Sequence, residues 1–141
     1  MAEVSTDLYV RVLRFYAGQM ALLDALDLDA YADTFTEDGV THHEHRGQKL
    51  EGRAALLEHA RAALPRYREV VVRHWNDNYR MDLADDGSVT VSYGSLVTLT
   101  DKEGQVRFES TYAVTDVLVH EEGRLRARSR RILRDRPPAA A

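Results

Sequence analysis

The chain of 141 residues contains no cysteine. That absence excludes a disulfide framework, a thiolate metal site and a cysteine nucleophile, and it favours the cytoplasm. The opening segment Met1–Asp7 has neither a basic n-region nor an apolar h-region, and no run approaches the ~18 apolar residues of a membrane span. A soluble intracellular protein is expected. Nor is there an excess of positive charge: 19 basic against 23 acidic residues leave a formal charge of −4, so nothing draws the whole chain to nucleic acid or acidic membranes. The alternating arginines between Arg124 and Arg131 lack the interleaved aromatics of a nucleic-acid-binding stripe. Phosphate-loop, dinucleotide and nucleophilic-serine signatures are missing too, which removes the usual support for nucleotide use and acyl-enzyme chemistry. What is present is 44% hydrophobic and 30% charged residues, the composition of one globular domain able to bury a core. No repeat or linker divides residues 1–141, and the ordered core is expected over about 7–134.

Three helices come first. Ser5, Thr6 or Asp7 caps a long amphipathic helix that carries Leu8, Val12, Phe15, Tyr16, Met20, Leu22, Leu23 and Leu26 at spacings of three and four and ends near Asp27. A short helix over Leu28–Phe35 is expected next, with Asp29 as its cap. Glu37-Asp38-Gly39 reads as a turn in which glycine takes a positive φ, and Val40 starts an extended piece to His45. After a loop over residues 46–51, a third helix runs from Gly52 to Leu64 and stops at Pro65.

From Tyr67 the period falls to two. Strands are expected over Val70–Leu83, Val89–Thr100, Val106–His120 and Leu125–Leu133, joined by acidic turns ending in Gly87, Gly104 and Gly123. Helices followed by strands indicate an α+β domain, here a curved antiparallel sheet packed on three N-terminal helices and enclosing a pocket. Val91, Tyr93, Val97 and Leu99, with Val117 and Val119, supply apolar residues on both strand faces, which predicts a homodimer on the outer face.

Several polar residues interrupt this apolar pattern. His74, Asn76 and Asn78 fall at i, i+2 and i+4 of one strand and so share a face; that face is either the pocket or the solvent side, in which case Trp75, Tyr79 and Met81 point inward. Facing the pocket, His74 can exchange a proton near neutral pH and an asparagine amide can orient a carbonyl or enol oxygen. Thr41-His42-His43-Glu44-His45 puts His43 and His45 on one side and His42 and Glu44 on the other, so three ligands do not converge and no metal site is expected; one histidine, His43, can reach the pocket mouth. Tyr16, Tyr31 and Phe35 come from helices that line the pocket. Asp33 is a solvated acid or a buried base, and Asp38 a turn residue. Tyr93, Tyr112 and Asp116 are polar groups among apolar neighbours, with Tyr112 and Asp116 sharing a face with Phe108 and Ser110, and Glu109 opposite. Asp116 reads equally as the partner of Arg126, Arg128 or Arg130.

The ordered set formed by the corner Tyr31-Ala-Asp33-Thr-Phe35-Thr-Glu-Asp38-Gly39-Val40, the helix start Gly52-Arg53-Ala54-Ala55-Leu56, the strand segment Arg73-His74-Trp75-Asn76-Asp77-Asn78 and the final strands through Asp116 and Gly123 to Arg130-Arg131 resembles the SnoaL-like branch of the nuclear transport factor 2-like superfamily. The resemblance spans about residues 7–134. It implies a cone-shaped fold, a deep pocket, a dimer and no organic cofactor, and it departs from the usual pattern at Val114 and Leu125, where many relatives carry an aromatic residue and a tryptophan. Its members include polyketide cyclases of antibiotic pathways, dehydratases, isomerases, epoxide hydrolases and dioxygenase small subunits, so fold leaves the reaction open. The resemblance places His74 and Asn78 inside, and Asp116 near the ligand as acid–base partner of His74. The function it implies is a cofactor-independent cyclase, dehydratase or isomerase of secondary metabolism, a lyase or isomerase by class. That enzyme would act on a polyketide-like small molecule with His74, Asp116 and Asn78 as catalytic residues and Tyr16, Tyr31, Phe35, His43, Asn76, Tyr93 and Tyr112 lining the substrate. The alternative is a noncatalytic ligand carrier or a dioxygenase small-subunit-like partner.

Overall fold

The computed structural model describes residues 2–139. A two-residue strand β1 (Ala2–Glu3) precedes helix α1 (Thr6–Asp24), helix α2 (Leu28–Asp33), strand β2 (Phe35–His43), a 3-10 turn at Glu44–Arg46, strand β3 (Gln48–Glu51) and helix α3 (Arg53–Ala63). A second 3-10 turn, Leu64–Tyr67, leads into β4 (Val71–Leu83), β5 (Val89–Thr100), β6 (Val106–Glu121) and β7 (Arg124–Arg134). No helix among these is long and apolar enough to cross a membrane.

Helix α1 starts where Ser5 Oγ accepts the Leu8 amide at 3.1 Å, and it turns Val12, Tyr16 and Gln19 inward at helical spacing. The second helix is shorter than its sequence pattern. Its cap is Asp27, whose carboxylate accepts the Ala30 amide, whereas the expected cap Asp29 pairs with Arg61 at 2.6 Å.

The region around Gly39 corrects two further expectations. Glu37-Asp38-Gly39 is an irregularity inside β2, with a register shift between Phe35 and Val40, and not a turn before it. Gly39 is needed for space and not for a positive φ, since a Cβ there would lie 3.0 Å from the Thr36 carbonyl oxygen and 3.2 Å from that of Ala127. The second is direction: β2 runs parallel to β7, so the seven-stranded sheet, ordered β1-β4-β5-β6-β7-β2-β3, is mixed and not wholly antiparallel. The connection from β2 to β7 runs through β3, α3 and the strands β4–β6, which lets β7 return alongside β2 in parallel without a hairpin. The loop expected over 46–51 contains β3, paired antiparallel to β2.

The four-stranded meander forms as its periodicity predicts. Its inner face buries Val89, Val91, Tyr93, Val114 and Leu118 against α1, α2 and α3, while Val97 and Leu99 pack with Val72, Tyr67 and Val70. Four of the residues expected to supply apolar surface on both faces, Val91, Tyr93, Val97 and Leu99, are therefore all internal. The outer face is apolar through other residues: Trp75 is 59% exposed and Phe108 76%.

Replacing Gly39 by alanine forces two backbone carbonyls apart and is expected to cost about 1–3 kcal/mol, the usual range for overpacking. Gly18→Ala, in an exposed turn of α1 with open space around the new methyl, should stabilise by about 0.5–1 kcal/mol. Urea denaturation midpoints of the two variants check both signs.

Candidate active site

The inner faces of β6 and β7 carry a buried charge pair. Asp116 is 0% exposed and stands opposite Arg130 in the antiparallel register. The guanidinium grips it through two bonds, Nε to Oδ1 at 2.9 Å and Nη2 to Oδ2 at 2.7 Å. Its other donors go to Gln19 Oε1 at 2.6 Å and the Tyr31 hydroxyl at 3.1 Å, and its plane lies over the Phe35 ring. The Tyr16 and Tyr93 hydroxyls donate to Asp116 Oδ2 at 2.8 and 3.2 Å. A buried ion pair is tolerable only when satisfied this fully. Burial, reinforced by Asp116, pushes the Tyr16 hydroxyl well above its ordinary range; burial does the same for Tyr93, and both remain protonated donors. For Arg130 burial favours the neutral form, but the Asp116 charge overrides it and raises the group well above its usual value.

This arrangement overturns the expected pairing of Asp116 with His74. Of the three arginines that alternate on β7, Arg126 is taken by Asp33 and Glu121, Arg128 is exposed, and Arg130 holds Asp116. Asp33 is thus a surface anchor for Arg124, Arg126 and Arg53, and the Arg124 hydrogen bond keeps its carboxyl below the usual range.

Above the pair, between α1, α2 and the curved sheet, lies a cavity of about 410 Å³. Arg130, Tyr31 and Tyr93 form part of its lining, together with Met20, Leu23, Val97, Val114 and Ile132. His74 stands on its wall, and its partner is Asp24 at the end of α1: Oδ1 lies 2.6 Å from Nδ1, and Oδ2 accepts the His74 backbone amide at 3.2 Å. One carboxylate therefore fixes both the ring and the backbone of the histidine. Sequence reasoning missed Asp24. An available signal was an acid, with no basic residue, in the last turn of α1, where the helix dipole disfavours negative charge.

Neither alternative for the β4 face holds along its whole length. His74 and Asn76 line the cavity, but the register shifts between Asp77 and Arg80, and Asn78 adopts φ 61° on the exposed side. Beyond that bulge Tyr79 takes the inward place and stacks on Tyr16 with ring centroids 5.1 Å apart. Burial pushes its hydroxyl up to about 12. Asn78 is thus separated from His74, contrary to the expected shared face. A second bulge between Val97 and Thr98 changes the parity of β6: Phe108 faces solvent, while Glu109 joins Tyr112 in the cavity lining.

Of the expected ligand-binding residues, Tyr31, His43, Asn76, Tyr93 and Tyr112 line the cavity. Tyr16 and Phe35 do not; both are fully buried behind it, against Asp116 and Arg130. Burial, helped by the Arg46 charge, lowers His43 to about 4, so it is neutral at physiological pH. The Nδ1 atoms of His43 and His45 and Oδ1 of Asn76 are buried without a protein partner. Among the described residues no group of three or more His, Cys, Asp or Glu side chains is arranged to hold a metal.

Against known proteins, the SnoaL-like domain model matches residues 5–131. The chain belongs to the SnoaL-like domain family. Among solved structures, Aln2 from a Streptomyces species is 41% identical over 93% of each chain with a TM-score of 0.88. ActVI-ORFA from Streptomyces coelicolor is 36% identical over 92% of this chain and 98% of its own, with a TM-score of 0.86. A Catenulispora acidiphila protein in complex with S-DNPA is 33% identical over 92% of this chain and 95% of its own, with a TM-score of 0.84. No curated protein matches. An NTF2-like protein with a cystatin-like fold from Novosphingobium aromaticivorans, 18% identical over 89% of this chain and 80% of its own with a TM-score of 0.73, shares the fold.

Arg130→Met leaves Asp116 buried with no compensating charge and is expected to destabilise this SnoaL-like domain by about 3–5 kcal/mol. Chemical denaturation at pH 7 measures it; Asp116→Asn combined with Arg130→Met should recover part of the loss, because the uncompensated charge is gone.

Proposed function

We propose that this SnoaL-like protein is a cofactor-independent enzyme that moves protons on a polyketide-derived small molecule, as a cyclase or a related dehydratase or isomerase. The observation that carries the reading is the Asp24–His74 pair on the wall of a cavity whose depth holds Arg130 and Tyr31. With Nδ1–H donated to Asp24, His74 presents Nε2 as the exchanging atom. Nε2 takes a proton from a carbon beside a substrate carbonyl, Asp24 stabilises the imidazolium that forms, and the same nitrogen returns the proton to an oxygen or carbon later in the reaction. The developing enolate oxygen is held by the Tyr31 hydroxyl, which accepts from Arg130 and keeps its own proton to give, with the Asn76 amide in the same cavity lining as a second donor. Asp116 has no proton-transfer role in this scheme; it keeps Arg130 charged and in position. Ring closure then depends on the cavity folding a flexible chain and excluding water.

His74→Ala should lower turnover roughly 10²-fold or more with KM changed only several-fold, and Asp24→Asn should give a smaller loss in kcat of the same kind. A direct reading is the rate at which the protein catalyses deuterium exchange at the α-carbon of an aryl β-keto ester in D₂O, followed by NMR. Exchange no faster than buffer for the unaltered protein, with the ester bound, favours a noncatalytic carrier and sinks the enzyme reading.

We also propose a homodimer built on the outer sheet face. Trp75 pairs in register with Leu96, and its indole Nε1–H donates to Thr98, which stands opposite Phe108. These make one apolar surface that water covers in the isolated chain. Phe108→Asp is expected to yield a folded monomer by light scattering, with the unaltered chain dimeric at micromolar concentration; a monomeric unaltered chain removes the proposal.

A further inference from the structure

A second space of about 220 Å³ opens off the cavity behind α3. Leu56, His59, Ala60 and Ala63 recur at helical spacing, so they form one face of α3, and that face is its roof. Thr41 and His43, alternate residues of β2, face it beside their register partners Arg130 and Ile132 on β7. The two spaces join where their linings coincide, at Tyr31, His43 and His74 among others. His59 lines the side space but not the cavity, and it is partly exposed. One polar line therefore crosses a chamber whose other walls are largely apolar, from His74 through His43 to His59. The His43 and His59 ring centroids lie 5.6 Å apart, a gap that a direct contact or one water spans. The Gln48 amide donates to His59 Nδ1 at 3.4 Å, so neutral His59 carries its proton on Nε2. Thr41 Oγ1, His43 Nδ1 and Gln48 Oε1 are buried without a partner among the described residues. Buried polar atoms of this kind are met by water, and the space holds several molecules at roughly 30 Å³ each. Burial, followed by the Arg46 charge, keeps both rings below the ordinary histidine range, so both are neutral at physiological pH. An apolar residue at either position would avoid that desolvation cost.

We propose that His43 and His59 form a proton relay that joins His74 to solvent through the space behind α3. The proposal rests on His74 being the proton-transfer group, and it adds the route by which that group exchanges its proton. A substrate filling the cavity stands between His74 and the mouth, while the ring holds the abstracted proton on Nε2 with Nδ1 engaged by Asp24. The side space borders His74 without passing through the substrate. A proton leaves His74 Nε2 for water in that space and enters one ring nitrogen of His43 as the other nitrogen gives up its own. The released proton passes to solvent along His59, and His74 is neutral again. A proton travelling inward reverses the exchange and restores the first tautomer of His43. His43 is neutral before and after each transfer, in keeping with its weak basicity. Both relay residues act through His74 and take no proton from the substrate themselves.

The test follows deuterium uptake at the α-carbon of the aryl β-keto ester in D₂O, on the full chain in dilute buffer. His43→Ala and His59→Ala should each lower uptake about tenfold, with ester affinity by calorimetry changed no more than about threefold, because the base stays and only its exchange with solvent slows. Added imidazole fits the vacated space and should restore most of the rate in both variants, whereas sodium chloride at equal ionic strength should not. His43→Gln keeps a polar group without a relay and should lose as much as His43→Ala. His42→Ala, on the opposite face of β2, should leave the rate unchanged. Full uptake in the alanine variants overturns the relay, and so does a loss that imidazole does not restore, which marks a packing role. An unaltered protein accelerated by imidazole as strongly as the variants also overturns it, since its proton then leaves by the mouth. Loss of uptake in His74→Ala with full uptake in His43→Ala and His59→Ala discards the relay alone, whereas an unaltered protein no faster than buffer discards both readings.

Discussion

The fold depends on a guanidinium and a carboxylate that have left water together. Arg130 and Asp116 sit opposite one another on adjacent strands, yet the groups that complete their hydrogen bonds come from both N-terminal helices: Tyr16 and Gln19 from α1 and Tyr31 from α2. Helices cannot slide on a sheet that requires a hydroxyl and an amide at fixed points, because any displacement leaves a buried charge short of a partner. Gln19 is itself held by the Thr34 hydroxyl, which bonds back to the Tyr31 carbonyl, so the angle between α1 and α2 is tied into the same network. Apolar packing alone is non-directional and would permit several helix positions; this network selects one.

The cavity exists because that network stops short of filling the sheet. Toward β1 the helices lie directly on Val89, Val91 and Met81; toward the far ends of β4, β5 and β6 the sheet curves past them. The bulges on β4 and β6 assist by changing which residues face in. On β4 the change admits Tyr79 to the aromatic group around Tyr16 and Tyr93 and turns Asn78 out. On β6 it turns Phe108 toward the outer apolar face and brings Glu109 to the mouth.

Charge is graded along the cavity. The floor carries a locked, neutralised pair, the wall a histidine oriented by a carboxylate, and the mouth Arg46 and Arg66 from the two 3-10 turns. In the proposed proton-transfer reaction the floor would supply fixed dipoles that need no reorganisation and the wall an exchangeable proton. His43, lowered by burial, stays uncharged between wall and mouth and so adds no further positive charge at neutral pH.

By itself the sequence determined the helix order, the four long strands, their turns and the family, because helical and strand periodicity and turn chemistry are local properties of a few adjacent residues. It also placed His74, Asn76, Tyr31, Tyr93 and Tyr112 among the residues that line the cavity. Strict alternation failed at Asn78 and Glu109, since a bulge changes parity without leaving a clear mark in composition. The parallel pairing of β2 with β7 was equally hidden, because it joins stretches separated by the whole meander. Only tertiary structure decided which acid served which partner: Asp24 meets His74 from 50 positions away, and Asp116 chooses Arg130 over two other arginines on the same strand. Any carboxylate in the chain has the charge to do either task; geometry at a distance of a few ångströms, set by helix docking on a curved sheet, assigns the work.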